Sequence, residues 1–173
     1  TMTAASGADV VLVFDVSTSM DYTTGGTAPG GRGWKLSNTR WTALKEAAES
    51  FITGLLANSK NRVSIVIYGG WNGSSGNPKV HKTICNWTSN AQTAINTFKN
   101  YDVVCQDYVY KDGVTNKTSL RKAYLNDDGT DYGATNCQAG FRGAWQALNA
   151  RPNDASTQEN SQYVIYMSDG EAN

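Results

Sequence analysis

The chain has 173 residues, a globular composition and a net charge of zero, with Lys+Arg 15 against Asp+Glu 15. This balance gives no reason to expect nucleic acid or an anionic membrane as a partner. No apolar run approaches the roughly 18 residues of a membrane helix, so we expect no membrane insertion. Three cysteines without CxxC spacing and a single histidine argue against a disulfide scaffold or a zinc site.

The first predicted element is the apolar run Val10–Phe14, which has the β-branched composition of a strand buried on both faces. Polar side chains follow it on alternate residues, at Asp15, Ser17 and Ser19. Open α/β sheets bind ligands at the carboxyl ends of their strands. Carboxylate and hydroxyl oxygens suit Mg²⁺, Mn²⁺ or Ca²⁺. Taken alone, the same residues are equally typical of an ordinary Ser/Thr turn.

A glycine-rich loop, residues 21–38, comes next and is not expected to form a regular element. Apolar residues at helical spacing then predict a helix over Thr39–Asn58. A second buried strand is predicted over Arg62–Gly69 and a third over Lys79–Trp87. The capping spacing at Ser89 predicts a further short helix.

Residues 101–132 show no sustained period, and we interpret them as an insertion or long excursion outside the core. A helical pattern returns over Asn136–Ala150, and Gln162–Met167 predicts a fourth buried strand. This alternation predicts an α/β fold with a mostly parallel sheet and helices on both faces. We expect the strand order 3-2-1-4, with the strand from Gln162 as an exposed edge.

Three separate turns carry oxygen donors that could meet at one edge of this sheet. Asp15, Ser17 and Ser19 form a DxSxS pattern, Thr135 lies in GATNCQAG before a helix, and Asp169 lies in SDGE after the fourth strand. In this order the motifs resemble the von Willebrand factor type A domain and its metal-ion-dependent adhesion site. The similarity is greatest to such domains in bacterial surface proteins and pilus-tip adhesins, especially over residues 35–69.

The resemblance implies a single, doubly wound, Rossmann-like domain over residues 1–173, partial because the C-terminal edge of the sheet is absent. It implies that Ser17 and Ser19 bind Mg²⁺ (or Mn²⁺ or Ca²⁺) directly. Thr135, Asp15 and Asp169 would bind the cation directly or through water. Because few carboxylates neutralise such an ion, a partner protein's acidic side chain could complete its shell. Neither Asp15 nor Ser17 is expected to pack in a core, so substitutions there should leave the fold largely intact.

The function implied is extracellular adhesion. The chain would be a bacterial cell-surface module that binds a protein ligand and contacts the rest of its own domain or parent protein. One alternative is an intracellular scaffold with the same fold, because fold alone does not settle function. A metal-dependent phosphohydrolase is the other, but Ser17 stands where that class needs a second Asp. We expect binding without turnover, with the only histidine, His81, on the strand farthest from the site.

Two further expectations concern the cysteines and the loop aromatics. In an oxidising compartment the preferred disulfide is Cys105–Cys137, and the rival pairing is Cys85–Cys105. Aromatic side chains in the loops could enrich a binding surface beside the metal, although such residues more often pack onto their own domain. They are Trp34, Tyr108, Tyr110, Tyr124 and Tyr132.

Overall fold

The computed structural model describes residues 6–70, 80–102, 120–125 and 135–168. Four strands and three α-helices are its main elements in those ranges. The strands are β1 (Ala8–Asp15), β2 (Arg62–Tyr68), β3 (His81–Thr88) and β4 (Ser161–Met167), and the helices are α1 (Arg40–Leu55), α2 (Ala91–Asn96) and α3 (Cys137–Asn149). None of the helices in these ranges is long and apolar enough to cross a membrane.

The strands form one open sheet in the order β3-β2-β1-β4, as the sequence predicts. β1 pairs in parallel with both β2 and β4, and β3 runs antiparallel to β2. β2 is buried along its whole length, whereas the first half of β4 is exposed. β4 is therefore the expected edge strand, with its carboxyl end beside that of β1.

The antiparallel direction of β3 changes the expected place of His81. Asp15 pairs with Tyr68, and Tyr68 pairs with His81, so the three residues form one row across the sheet. His81 does lie on the outer strand, two strands from Asp15. It nevertheless stands at the same edge of the sheet as Asp15, because β3 begins where β2 ends.

The sheet separates two apolar cores. One face, which includes Leu12, Phe14 and Ile65, packs against α1 and α2. Thr39 caps α1 by accepting a hydrogen bond from the backbone N–H of Thr42 at 3.2 Å. The opposite face, centred on Val13, packs against α3. Helices on both faces confirm the doubly wound α/β class.

α3 lies close to the sheet because its inward positions are glycines. A Cβ atom on Gly140 would come within 2.5 Å of the Tyr166 hydroxyl and 2.8 Å of Tyr68 Cδ1. A Cβ atom on Gly143 would meet Val66 Cγ1 at 2.6 Å and His81 Nδ1 at 3.2 Å. Glycine at these two positions therefore sets the distance of α3 from the carboxyl edge of the sheet.

Replacing Gly140 by Ala is expected to destabilise the protein by about 1–2 kcal/mol. The helix propensity of Ala favours the change by about 1 kcal/mol, but overpacking typically costs about 1–3 kcal/mol. The matched control is Gly54→Ala in α1, where the added methyl group meets no atom within 4 Å and the variant should gain stability. Urea unfolding measures both, and equal gains would contradict the close packing of α3.

The end of the excursion is part of the core, and in this respect the sequence interpretation is wrong. Leu120 and Leu125 are completely buried in the larger apolar core, and a π-helical segment covers Arg121–Leu125. The backbone N–H of Leu120 donates to the carbonyl of Asp102 at 2.9 Å. Asp102 and Leu120, the described residues on either side of positions 103–119, are therefore neighbours in the fold.

The described cysteines and loop aromatics also test the sequence expectations. Cys85 is buried and Cys137 is half-buried. Both predicted disulfides need Cys105, which lies outside the described residues, so they stay predictions. Trp34 is buried and packs on its own domain. Tyr124 is half-buried against Tyr101, and Tyr108, Tyr110 and Tyr132 lie outside the described residues.

Candidate metal centre

The DxSxS segment forms a tight turn at the carboxyl end of β1. The strand ends at Asp15, whose Oδ1 accepts a hydrogen bond from the backbone N–H of Ser17 at 2.8 Å. A single 3-10 turn, Thr18–Asp21, follows. It is closed by the backbone N–H of Met20, which donates to the Ser17 carbonyl at 3.0 Å. This geometry brings the oxygen donors of the motif onto one short turn.

The two serine hydroxyls of this turn lie side by side, with Ser17 Oγ and Ser19 Oγ 3.1 Å apart. Two neighbouring ligands in an octahedral Mg²⁺ shell with bonds of about 2.0–2.1 Å are themselves about 3 Å apart. The pair therefore fits adjacent ligand positions of such an ion. Hydroxyl and carboxylate oxygens are also the donor types that Mg²⁺, Mn²⁺ and Ca²⁺ prefer.

Solvent exposure increases along the turn from Asp15 to Ser19. Asp15 and Ser17 are each 1% exposed, whereas Ser19 is half-buried, so the turn opens to solvent at Ser19. The expectation that Asp15 and Ser17 avoid the core is therefore wrong, because both side chains are enclosed by the protein. A carboxylate in such surroundings needs compensating partners, and a bound cation is one.

Thr135 lies immediately before α3, at the same edge of the sheet. Asn136 caps the helix by accepting a hydrogen bond from the backbone N–H of Ala139 at 3.2 Å. Two tyrosines link this helix start to Asp15. The pKa values of Tyr68 and Tyr166 are raised, mainly by burial, with further contributions from the nearby Asp15 carboxylate and from Cys137.

The Tyr166 hydroxyl also donates to the carbonyl of Cys137 at 3.0 Å. Asp15 and the first turn of α3 thus share the same tyrosine neighbours, and Thr135 is two residues before Cys137. Asp169 itself lies outside the described residues. β4, which leads to it, ends at Met167, and Met167 pairs with Phe14 directly before Asp15.

Two arginines that contact the 3-10 turn were not predicted from the sequence. Arg40, the first residue of α1, donates from Nη1 to the carbonyl of Ser19 at 3.3 Å. Arg121 forms an ion pair with Asp21, with Nη2 and Oδ2 3.2 Å apart. Arg40 could have been found from the sequence, because it directly follows the residue that caps α1. No local pattern distinguishes Arg121.

His81 stands apart from these oxygen donors. Its side chain is buried beside α3, and burial lowers its pKa, with a further contribution from the positive charge of Arg142. Its Nε2 atom has no hydrogen-bond partner within the described ranges. The neutral imidazole is therefore the form at pH 7.

Comparison with solved structures is informative about the fold. The PilB minor pilin from Streptococcus sanguinis aligns with a TM-score of 0.57 at 17% identity, over 96% of this chain and 30% of that chain. The chain is similar in fold to a minor pilin. An identity this low shows the fold alone, and the chain spans less than a third of that pilin's length.

Two weaker matches have TM-scores of 0.49. The first is the SpRpn10 VWA domain, at 13% identity over 92% of this chain and 58% of that chain. The second is the adhesive tip pilin GBS104 from Group B Streptococcus agalactiae, at 20% identity over 92% of this chain and 44% of that chain. No protein-family model and no curated protein matches the sequence.

Proposed function

We propose that this chain is a von Willebrand factor A-type adhesion module of a bacterial cell surface, which binds a protein ligand through a divalent cation. The observation that carries the proposal is the pair of serine hydroxyls 3.1 Å apart beside the buried carboxylate of Asp15. The order of the three motifs and the likeness in fold to a pilin support the cell-surface setting.

The residues present fit a Mg²⁺ or Mn²⁺ ion. Ser17 and Ser19 would hold it through their hydroxyls, with Asp15 behind them, and we assign Thr135 and Asp169 to the same ion. The cation would supply an electrophilic centre for an outside carboxylate. The hydroxyls of Ser17 and Ser19 donate no charge to the ion, so it would stay electrophilic, and an acidic side chain of the ligand protein would complete its coordination shell.

We assign no catalytic step to this centre. An aspartyl nucleophile of the phosphohydrolase kind works with a second Asp two residues later, and this chain has Ser17 there. The buried, neutral His81 is two strands away from Asp15. These features favour binding without turnover.

A further part of the parent polypeptide is the partner we assign to the open edge of the sheet. Tyr163 and Val164 on β4 are 52% and 41% exposed, and Phe141 and Trp145 on α3 are 60% and 66% exposed. An edge strand with exposed apolar side chains is normally covered in the complete protein. The ligand site proposed above lies at the carboxyl end of the same sheet.

Replacing Ser17 by Ala tests the cation site. We expect Mn²⁺ affinity, followed by the loss of the free-ion signal in electron paramagnetic resonance, to fall at least about tenfold, because even groups behind the metal ligands contribute 10- to 100-fold. The matched control is Ser50→Ala, an exposed serine in α1, which should bind as the unmodified protein does. An equal affinity in both variants would contradict the assignment.

The ligand chemistry is tested with a panel of immobilised proteins, each presented native and with its carboxyl groups amidated. We expect attachment to at least one native protein in Mg²⁺, with loss of attachment in EDTA and on the amidated form. Attachment that survives both treatments would place the binding surface away from the cation.

A further inference from the structure

A buried ion pair connects the end of the excursion to the turn of the candidate metal centre. Arg121 and Asp21 are 100 residues apart in the chain, and each is only 2% exposed. Arg121 Nη2 donates to Asp21 Oδ2 at 3.2 Å. Removing one partner of such a pair leaves the other charge buried with less compensation, so breaking the contact between the two segments is costly.

Asp21 is the last residue of the 3-10 turn that contains Ser19. Its main chain and its carboxylate are both held, because Trp34 Nε1 donates to the Asp21 carbonyl at 2.7 Å in addition to the bond from Arg121. The Ser19 carbonyl accepts both the backbone N–H of Tyr22 at 3.1 Å and Arg40 Nη1 at 3.3 Å. Ser19 lies two residues before Asp21 in the same 3-10 turn. We therefore expect a displacement of Asp21 to move Ser19 as well.

The segment that carries Arg121 is itself firmly anchored. Its neighbours Leu120 and Leu125 are fully buried in the core. Tyr124 packs on Tyr101 with their ring centroids 6.1 Å apart. The carbonyl of Tyr101 in turn accepts a hydrogen bond from Trp41 Nε1 of α1 at 2.8 Å. Arg121 thus projects from a rigid base rather than from a free loop end.

We propose that Arg121 is a positioning residue for the cation site, which acts by holding Asp21 and so fixing the separation of the Ser17 and Ser19 hydroxyls. The inference rests on the proposed cation-binding function and adds a residue to it. Groups that orient metal ligands without touching the metal typically contribute 10- to 100-fold to its affinity. Because the Asp21 carboxylate is paired with Arg121, Asp21 orients the turn without adding its charge to the ion.

The test is the Mn²⁺ dissociation constant of the whole chain, measured by electron paramagnetic resonance. We expect Arg121→Met to weaken Mn²⁺ binding about tenfold and Arg121→Lys to weaken it less, because lysine keeps the charge but not the planar guanidinium. The matched control is Arg62→Met, which breaks another buried Arg–Asp pair, with Asp9, at the opposite end of β1. It should lose stability and keep its Mn²⁺ affinity within about twofold.

Asp21→Asn completes a double-mutant cycle and also serves if Arg121→Met does not fold. If Arg121 acts through Asp21, the double variant should bind Mn²⁺ no more weakly than either single variant, so the effects are not additive. Wild-type affinity in every folded Arg121 and Asp21 variant would overturn the positioning role. Failure of the unmodified protein to bind Mn²⁺ would instead overturn the proposed function, and the two failures are distinguished in one titration series.

Discussion

Replacing Asp15 by Asn is expected to abolish cation binding, with Mn²⁺ affinity reduced at least about 100-fold, while the metal-free protein remains as stable as before. The side chain is almost completely buried, and its Oδ1 accepts the backbone N–H of Ser17 at 2.8 Å. An amide oxygen can accept the same hydrogen bond without burying a charge. The substitution therefore separates the electrostatic contribution of Asp15 to the cation site from its structural role.

Thermal unfolding with and without Mg²⁺ measures this effect independently of any protein ligand. At a Mg²⁺ concentration of about 100 times its dissociation constant, the unmodified protein should gain about 2.7 kcal/mol. Asp15→Asn, with a dissociation constant at least about 100-fold higher, should gain at most about 0.4 kcal/mol. Asp154→Asn, at an aspartate on the surface, is the matched control and should respond as the unmodified protein does. An equal Mg²⁺ response in Asp15→Asn would place the ion elsewhere.

The sequence predicted the parts of the fold that depend on local patterns. The apolar run of β2 was predicted to within one residue, because four β-branched residues within seven positions are typical of a strand. The helical spacing of apolar residues predicted the start of α1 to within one residue, at Thr39 instead of Arg40. The predicted end at Asn58 was wrong by three residues, because α1 ends at Leu55. The strand order 3-2-1-4 followed from the crossovers.

Long-range contacts could not be predicted in the same way. Arg121 carries no local mark of its burial, since the segment around it is too short for a helical period to show. Its partner Asp21 lies 100 residues earlier, in a loop that the sequence predicts only as irregular. The direction of β3 was also open, and it is this direction that brings His81 to the edge of Asp15. An ion pair between residues 100 positions apart is determined by the fold and cannot be predicted from the spacing of residues in the sequence.

Replacing Asp9 by Asn is expected to destabilise the protein by about 3–5 kcal/mol at pH 7, because it leaves a buried arginine uncompensated. Asp9 is fully buried at the opposite end of β1 from the candidate metal centre. Its Oδ2 accepts from Arg62 Nη2 at 2.7 Å and from Arg151 Nη1 at 2.8 Å. Asn160 Nδ2 donates to Oδ1 at 2.9 Å. The carboxylate thus joins β1 to β2 and to the segment that leads into β4.

The loss should depend on pH in a direction that the surroundings of Asp9 determine. Burial alone would raise the pKa of Asp9, but the hydrogen bonds from Arg62, Asn160 and Arg151 outweigh it and hold the pKa below its usual value. The carboxylate therefore stabilises the fold fully above the unfolded pKa of about 4, and this contribution is lost as the pH falls through the lower folded pKa.

Urea unfolding from pH 7 to pH 2 measures the dependence as the difference in stability between the unmodified protein and Asp9→Asn. We expect the difference to be constant above about pH 5 and to shrink as Asp9 becomes protonated. The matched control is Glu49→Gln, which breaks an exposed pair with Lys99 and should cost at most about 1 kcal/mol. A difference that stays constant down to pH 2 would mean that the lost packing of Asp9, and not its charge, holds the base of the sheet together.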